Sequence, residues 1–398
     1  MSSSPSRGEF IALLALLFAT IALSIDAMLP ALPEIAAALS PADPNKAQLV
    51  ITSFVLGMGV GTLFAGPISD AFGRKTTILA GFALYILAAA AAWAASSLET
   101  LLAARVLMGL GAAAPRTVSI AMVRDMFKGR EMAQIMSFAM MIFTIVPAVA
   151  PLMGQGVIAL AGWQAIFVAY IGFAILIATW LHLRQPETLP AAARRPLALR
   201  PLLAACAEVL SLRIVQLSIA TQALTMGMLF ATLSSMEGIF AQTFHRAQSF
   251  PLWFAVIAVA SMSGSIINAR LVMKLGMRAM IAVTYAVLLA VTLAYLALTA
   301  TEALGPDAAF AAHVLWSIVL FAAMGLTLGN LNALAMEPLG HVAGMAASIT
   351  SAIATVASVI LAVPVGLIFD GTTLPLLIGV AGYGVLALAL SLMLRVRT

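Results

Sequence analysis

Four ionisable residues interrupt stretches that are otherwise apolar. Asp26 lies in Leu23-Ser24-Ile25-Asp26-Ala27-Met28-Leu29-Pro30, Arg105 and Arg116 lie between Leu101 and Val118, and Glu237 lies in Ser234-Ser235-Met236-Glu237-Gly238. A charge inside a bilayer costs at least ~2.5 kcal/mol on insertion scales, so a residue of this kind faces a partner or an aqueous cavity and marks an ion or substrate path. A carboxylate can bind and release a proton, which makes Asp26 the candidate proton carrier and Arg105 its candidate partner. At ~1.5 Å of rise per residue, Asp26 sits roughly 25 Å beyond Glu9, and Arg105 about 12 Å below an outer helix end near Ser97. Both depths fall in the outer half of the membrane. Burial and a neighbouring cation act on a carboxylate's proton affinity in opposite senses. At about 100° per residue, Gly109, Ala112 and Arg116 fall within roughly 40° of Arg105, so one helical face carries two cations among small residues. Arg116 either lines a substrate cavity or snorkels to the inner surface. Glu237 is either a cavity carboxylate or a residue at the outer end of a helix. Met108 and Met140 are further cavity candidates, the latter among Met132, Met136 and Met141 at near-helical spacing; flexible thioethers suit a site that accepts many shapes, and equally suit helix packing.

The elements that must hold these residues are membrane spans. Of 398 residues, 63% are hydrophobic and 9% charged, where a soluble domain is about half apolar and a quarter charged. At about 20 apolar residues per crossing, the apolar runs give twelve helices near 9–38, 47–69, 76–95, 98–122, 131–157, 163–183, 213–242, 249–270, 278–300, 308–331, 343–368 and 373–394. The chain is thus expected to be an all-α integral membrane protein. Its longest polar connection divides it into residues 1–183, a cytoplasmic linker 184–212, and residues 213–398. The first run is too long for a signal-peptide core and is needed as a span. With both termini inside, sixteen of the 20 Lys and Arg residues, among them Arg7, Arg395 and Arg397, lie in inside loops and tails; only Lys46 and Arg246 lie outside, and Arg105 and Arg116 lie within the fourth span. The positive-inside rule supports this orientation. The net charge of +5 therefore reports topology and not nucleic-acid binding. One cysteine, Cys206, excludes a disulfide framework and a cysteine metal site. His182, His245, His313 and His341 are scattered and are read as loop or helix-end residues, so no metal or cofactor is expected.

Between the second and third spans runs Gly66-Pro67-Ile68-Ser69-Asp70-Ala71-Phe72-Gly73-Arg74-Lys75-Thr76. It lacks the spacing and context of a phosphate loop, which leaves ion gradients as the energy source. It resembles the loop signature of the major facilitator superfamily, G-x-L-x-D-x-x-G-R-[RK]. That resemblance implies a conformational latch made by Gly66, Asp70, Gly73 and Arg74, with Asp125 of Arg124-Asp125-Met126-Phe127 as the acid that meets Arg74. Arg105-Val106-Leu107-Met108-Gly109-Leu110-Gly111 resembles the family's R-x-x-Q-G-x-G, with Met108 in place of glutamine. Pro147-Ala148-Val149-Ala150-Pro151-Leu152-Met153-Gly154-Gln155-Gly156 is similar in part to the signature of drug/proton exchangers, and physically it predicts a bent helix with a close neighbour at Gly154. Gly276 and Arg278 form a weakened echo of the first loop, as the superfamily's internal repeat implies. Leu29-Pro30-Ala31-Leu32-Pro33 and Asn330 to Gly344 look like the Bcr/CflA branch of multidrug efflux proteins.

The resemblance implies a major facilitator fold of two six-helix halves working by alternating access. The expected activity is export of small lipophilic drugs in exchange for protons, by a monomer in the inner membrane, with Asp26 carrying the proton. Export of a single metabolite such as a sugar or amino acid derivative, or uptake by symport, would use the same architecture. No converging nucleophile, base and metal ligands propose an enzyme.

Overall fold

A computed structural model describes residues 5–394, with 133, 142–144, 199, 201 and 341 described by their backbone alone. Arg395 and Arg397 lie outside the described residues. The chain runs through α1 (Arg7–Asp26), a 3-10 turn (Leu29–Ala31), α2 (Leu32–Leu39), α3 (Leu49–Phe72), α4 (Arg74–Trp93), α5 (Leu98–Met126), α6 (Gly129–Ala161) and α7 (Ala165–Arg184). After the linker helix α8 (Leu199–Ser211) come α9 (Arg213–Gly238), α10 (Phe250–Leu275), α11 (Met277–Ala300), α12 (Pro306–Met336), α13 (Ala343–Leu367) and α14 (Leu374–Met393). Twelve helical segments among the described residues are long and apolar enough to cross a membrane. Their order makes an all-helical, multi-pass membrane architecture of six spans and six spans.

By internal contacts the chain divides into two units. One comprises the residues up to Pro41 with Ser53–Ala204, the other Ala42–Thr52 with the chain from Ala205 onward. In the first unit, Phe10, Leu14 and Phe18 of α1 form a buried core with Val123 of α5 and Ile135 and Ala139 of α6. Helices without a water-driven reason to associate rely on close packing. Gly109 shows how close this is, since a Cβ there would lie 2.0 Å from the Phe54 carbonyl oxygen on α3.

A tyrosine–hydroxyl brace occurs in each unit. Ser24 Oγ on α1 donates to Thr20 O (2.6 Å) and so accepts from Tyr85 OH on α4 at 2.6 Å. In the second unit Thr225 Oγ1 on α9 donates to Thr221 O (2.7 Å) and accepts from Tyr285 OH on α11 at 2.5 Å. Each hydroxyl has a single proton, which fixes these directions.

Three expectations change. The first span is not one helix over 9–38. It breaks after Asp26, because Pro30 and Pro33 lack the N–H groups that would continue the ladder. The linker contains α8, whose Leu202, Ala205 and Val209 are buried while Leu203 and Leu210 are exposed. His313 is not a helix-end residue: it is fully buried within α12. Its ring packs against Phe240, Phe244, Tyr295 and Trp316, and neither ring nitrogen has a hydrogen-bond partner among the described residues. A flat imidazole fits an aromatic cluster in shape, and the apolar span around it gave no sign of its polarity. His182 lies in the last turn of α7, His245 follows α9 at a φ of 55°, and the His341 side chain lies outside the described residues.

Candidate functional site

The end of α1 frees backbone acceptors that a continuous helix would use. Ala27 N donates to Leu23 O at 3.1 Å and Met28 N to Ile25 O at 3.3 Å, so Ser24 O is skipped by the ladder. Orphaned carbonyls at a helix end need other donors. Arg105 Nη2 donates to Ser24 O at 2.8 Å, and Tyr170 OH donates to Leu23 O (3.2 Å) and Ser24 O (3.3 Å). A cation at a helix C-terminus also opposes the negative end of the helix dipole. Arg105 is fully buried, and its guanidinium carbon lies 4.6 Å from the centre of the Phe54 ring, a cation–π contact. Arg105 thus holds the broken end of α1.

Asp26 is the last residue of that helix and is 5% exposed. Among the described residues its carboxylate has neither a hydrogen bond nor an ion pair, and Arg105 meets the carbonyl two positions earlier instead. On the other side of the break, a Cβ at Gly154 of α6 would lie 2.1 Å from Ala27 O. Glycine is required there because the α6 backbone rests on the residue next to Asp26. Pro147 and Pro151 lie within the continuous α6, where each removes a ladder donor.

The other cavity candidates occupy separate places. Met108 is fully buried in α5, Met140 on α6 is 45% exposed, and Arg116 is exposed. Glu237 belongs to the second unit, near the end of α9, where it is 7% exposed and has no hydrogen bond or ion pair among the described residues. A π-helical turn, Ile239–Thr243, follows it.

The loop residues converge in the first unit. Gly73 adopts a φ of 102°, a conformation that favours glycine, and this turn starts α4 at Arg74. Arg74 Nη1 donates to Asp70 Oδ1 (2.5 Å) and Ser69 Oγ (2.6 Å), and Nε donates to Asp125 Oδ2 (3.0 Å). Gly66 supplies the carbonyl that accepts from Ser69 Oγ at 2.8 Å.

Sequence reasoning missed a third carboxylate here. Glu187, just after α7, accepts from Arg74 N at 2.8 Å and Lys75 N at 3.1 Å, placing an anion on the N-terminus of α4. The same side chain accepts from Thr188 N and Leu189 N, both at 3.0 Å. Thr188 Oγ1 donates to Asp125 Oδ2 (3.3 Å), and Lys75 Nζ to His182 O (2.7 Å). The sequence separation between Glu187 and Arg74 hides this cluster. Tyr85, Tyr170 and Ser24 were missed for another reason: neutral hydroxyls in apolar runs carry no charge signal.

The family profile described as Major Facilitator Superfamily matches residues 14–362. An uncharacterized MFS-type transporter of Bacillus subtilis (strain 168) is 32% identical over 334 residues, covering 82% of this chain and 81% of that protein. A bicyclomycin resistance protein homolog of Haemophilus influenzae is 30% identical over 300 residues, 72% of each. Among solved structures, the D-xylose-proton symporter aligns over 97% of both chains with a TM-score of 0.75 at 13% identity, a likeness of fold.

Proposed function

The chain belongs to the major facilitator superfamily and is a membrane transporter, and we propose that it is a proton-coupled antiporter exporting small lipophilic compounds by alternating access. In this reading it sits in the inner membrane with both termini cytoplasmic, and the likeness to a bicyclomycin resistance protein homolog supports drug-like cargo. The observation that carries the reading is Asp26, a buried carboxylate without a bonded partner at a helix break. With Arg105 and Tyr170 holding the carbonyls beside it, the Asp26 side chain is left to exchange a proton. Coupling requires that proton and cargo bind the two states with different affinity. A potential of 100 mV contributes about 2.3 kcal/mol per charge moved, enough to bias such an equilibrium. The Asp70–Arg74–Asp125 cluster is the proposed latch of one state, since charged pairs are broken and remade more readily than apolar cores.

The test uses proteoliposomes with an imposed pH gradient, a fluorescent drug and a pH dye. The native chain is expected to release protons when drug is added and to move drug against its gradient. Asp26→Asn is expected to lose both while still exchanging drug down its gradient. Uphill export by Asp26→Asn with intact proton release would sink the assignment.

A further inference from the structure

Arg116 has no counterpart in the machinery described so far. Helix α5 has 29 residues, about 43 Å at 1.5 Å per residue, and Arg116 lies roughly 6 Å to the cytoplasmic side of its midpoint. That is well within a hydrocarbon core about 30 Å thick.

Its direction follows from its neighbours. At about 100° per residue, Arg105 and Val123 each lie roughly 20° from Arg116 on the wheel. Arg105 is bonded to Ser24 of α1, and Val123 is buried against α1 and α6. Leu107, roughly 180° away from Arg116, is 43% exposed on the opposite side. Arg116 therefore lies on the face that α5 turns toward α1, where Ala112 and Ser119 are also buried. Yet Arg116 itself is exposed. An exposed residue between covered ones on a bundle-facing stripe opens on a recess inside the first unit and not on lipid.

Nor is its charge balanced. Among the described residues the guanidinium has no ion pair, no side-chain hydrogen bond and no ring contact. The nearby acids of this unit are committed elsewhere: Glu9 to Arg184, Asp70 and Asp125 to Arg74, Glu131 to Arg7, and Glu187 to the start of α4. Asp26 lies near the level of Arg105, which is 11 residues or about 16 Å along the helix from Arg116. A cation kept in mid-membrane without a counter-charge is expected to receive one from a ligand, and a guanidinium fork matches a carboxylate with two parallel bonds.

We propose that Arg116 is the anion-recognising residue of a substrate recess in the first unit, and that the preferred cargo is an amphiphile carrying a carboxylate. The proposal rests on the transporter reading given above and narrows its cargo from lipophilic compounds in general to organic anions. Exchange of one proton for one such anion moves two charges per cycle, whereas a neutral cargo moves one.

The test compares three probes with one aromatic body: 1-pyrenebutyrate, its methyl ester and 1-pyrenebutylamine, each titrated by fluorescence anisotropy into the purified full chain. The native protein is expected to bind the carboxylate about tenfold tighter than the ester, the factor that 1.4 kcal/mol corresponds to, and the amine least. Arg116→Gln is expected to erase the carboxylate-to-ester ratio while the ester affinity stays within about twofold, and Arg116→Lys to keep part of the ratio as a point charge. Equal native binding of carboxylate and ester, or an unchanged ratio in Arg116→Gln, would overturn the proposal. The native ratio decides even if Arg116→Gln does not fold. Proton release on drug addition, measured in parallel, separates the two readings: its loss with the ratio intact refutes antiport, and its persistence with a flat ratio refutes the role of Arg116.

Discussion

Replacing Glu187 by alanine removes one side chain that serves two segments. Its carboxylate satisfies the first two amides of α4, Arg74 N and Lys75 N, and also Thr188 N and Leu189 N in the linker. Loss of a capping side chain costs about 1–2 kcal/mol, and loss of an anion at a helix N-terminus a further ~0.3–1 kcal/mol at a partly exposed site. Together these give about 2 kcal/mol. At roughly 2–4 °C per kcal/mol for a unit of this size, the melting temperature should fall by about 4–8 °C. Glu187→Gln keeps one acceptor oxygen and loses the charge, so it should fall between Glu187→Ala and native. The assay is thermal unfolding followed by tryptophan fluorescence in detergent, with trypsin cleavage after Arg194 as a second readout. Arg195 N donates to Asp70 O at 3.0 Å, so a released linker should be cut faster. A Glu187→Ala protein that melts within about 1 °C of native and is cut at the native rate would refute the capping argument.

Two further substitutions test the packing. Gly154→Ala would place a methyl 2.1 Å from Ala27 O, and forcing two backbones apart costs roughly 1–3 kcal/mol; melting and uphill transport should both drop, while Gly156→Ala, which meets nothing within 4 Å, should match native in both measurements. His313→Phe should raise the melting temperature, because each buried polar atom without a partner costs about 1–3 kcal/mol and both imidazole nitrogens are of that kind; a lower melting temperature in the same scan would show that the imidazole is satisfied by an ordered water.

The spans were legible because each is long, apolar and bounded by glycine, proline or charge. The loop was legible because Asp70, Gly73 and Arg74 are close in sequence and their spacing is specific. What stayed hidden was long-range or uncharged. Glu187 is 113 residues from Arg74, and a Pro-Glu-Thr linker reads equally as a solvated loop. Arg105 was visible as an expensive cation, but its acceptor is a backbone carbonyl, and every residue has one of those. The prolines after Asp26 signalled an irregularity, whereas the position of the break depends on which carbonyls Arg105 and Tyr170 can reach. Amphipathic α8 escaped notice because its buried face is only three residues wide and lies beside arginines that mark a loop.

The paired tyrosine braces give the protein a built-in experimental reference. Tyr85 holds the helix that carries Asp26 two residues after Ser24, whereas Tyr285 holds a helix with Gly227 two residues after Thr225. The two braces share geometry and differ in the chemistry beside them. Removing the hydroxyl of Tyr285 reports what such a brace contributes to folding alone. The same removal at Tyr85 reports that contribution plus whatever the ionisable turn demands, and the difference between the two isolates how firmly the turn that carries a buried carboxylate must be held.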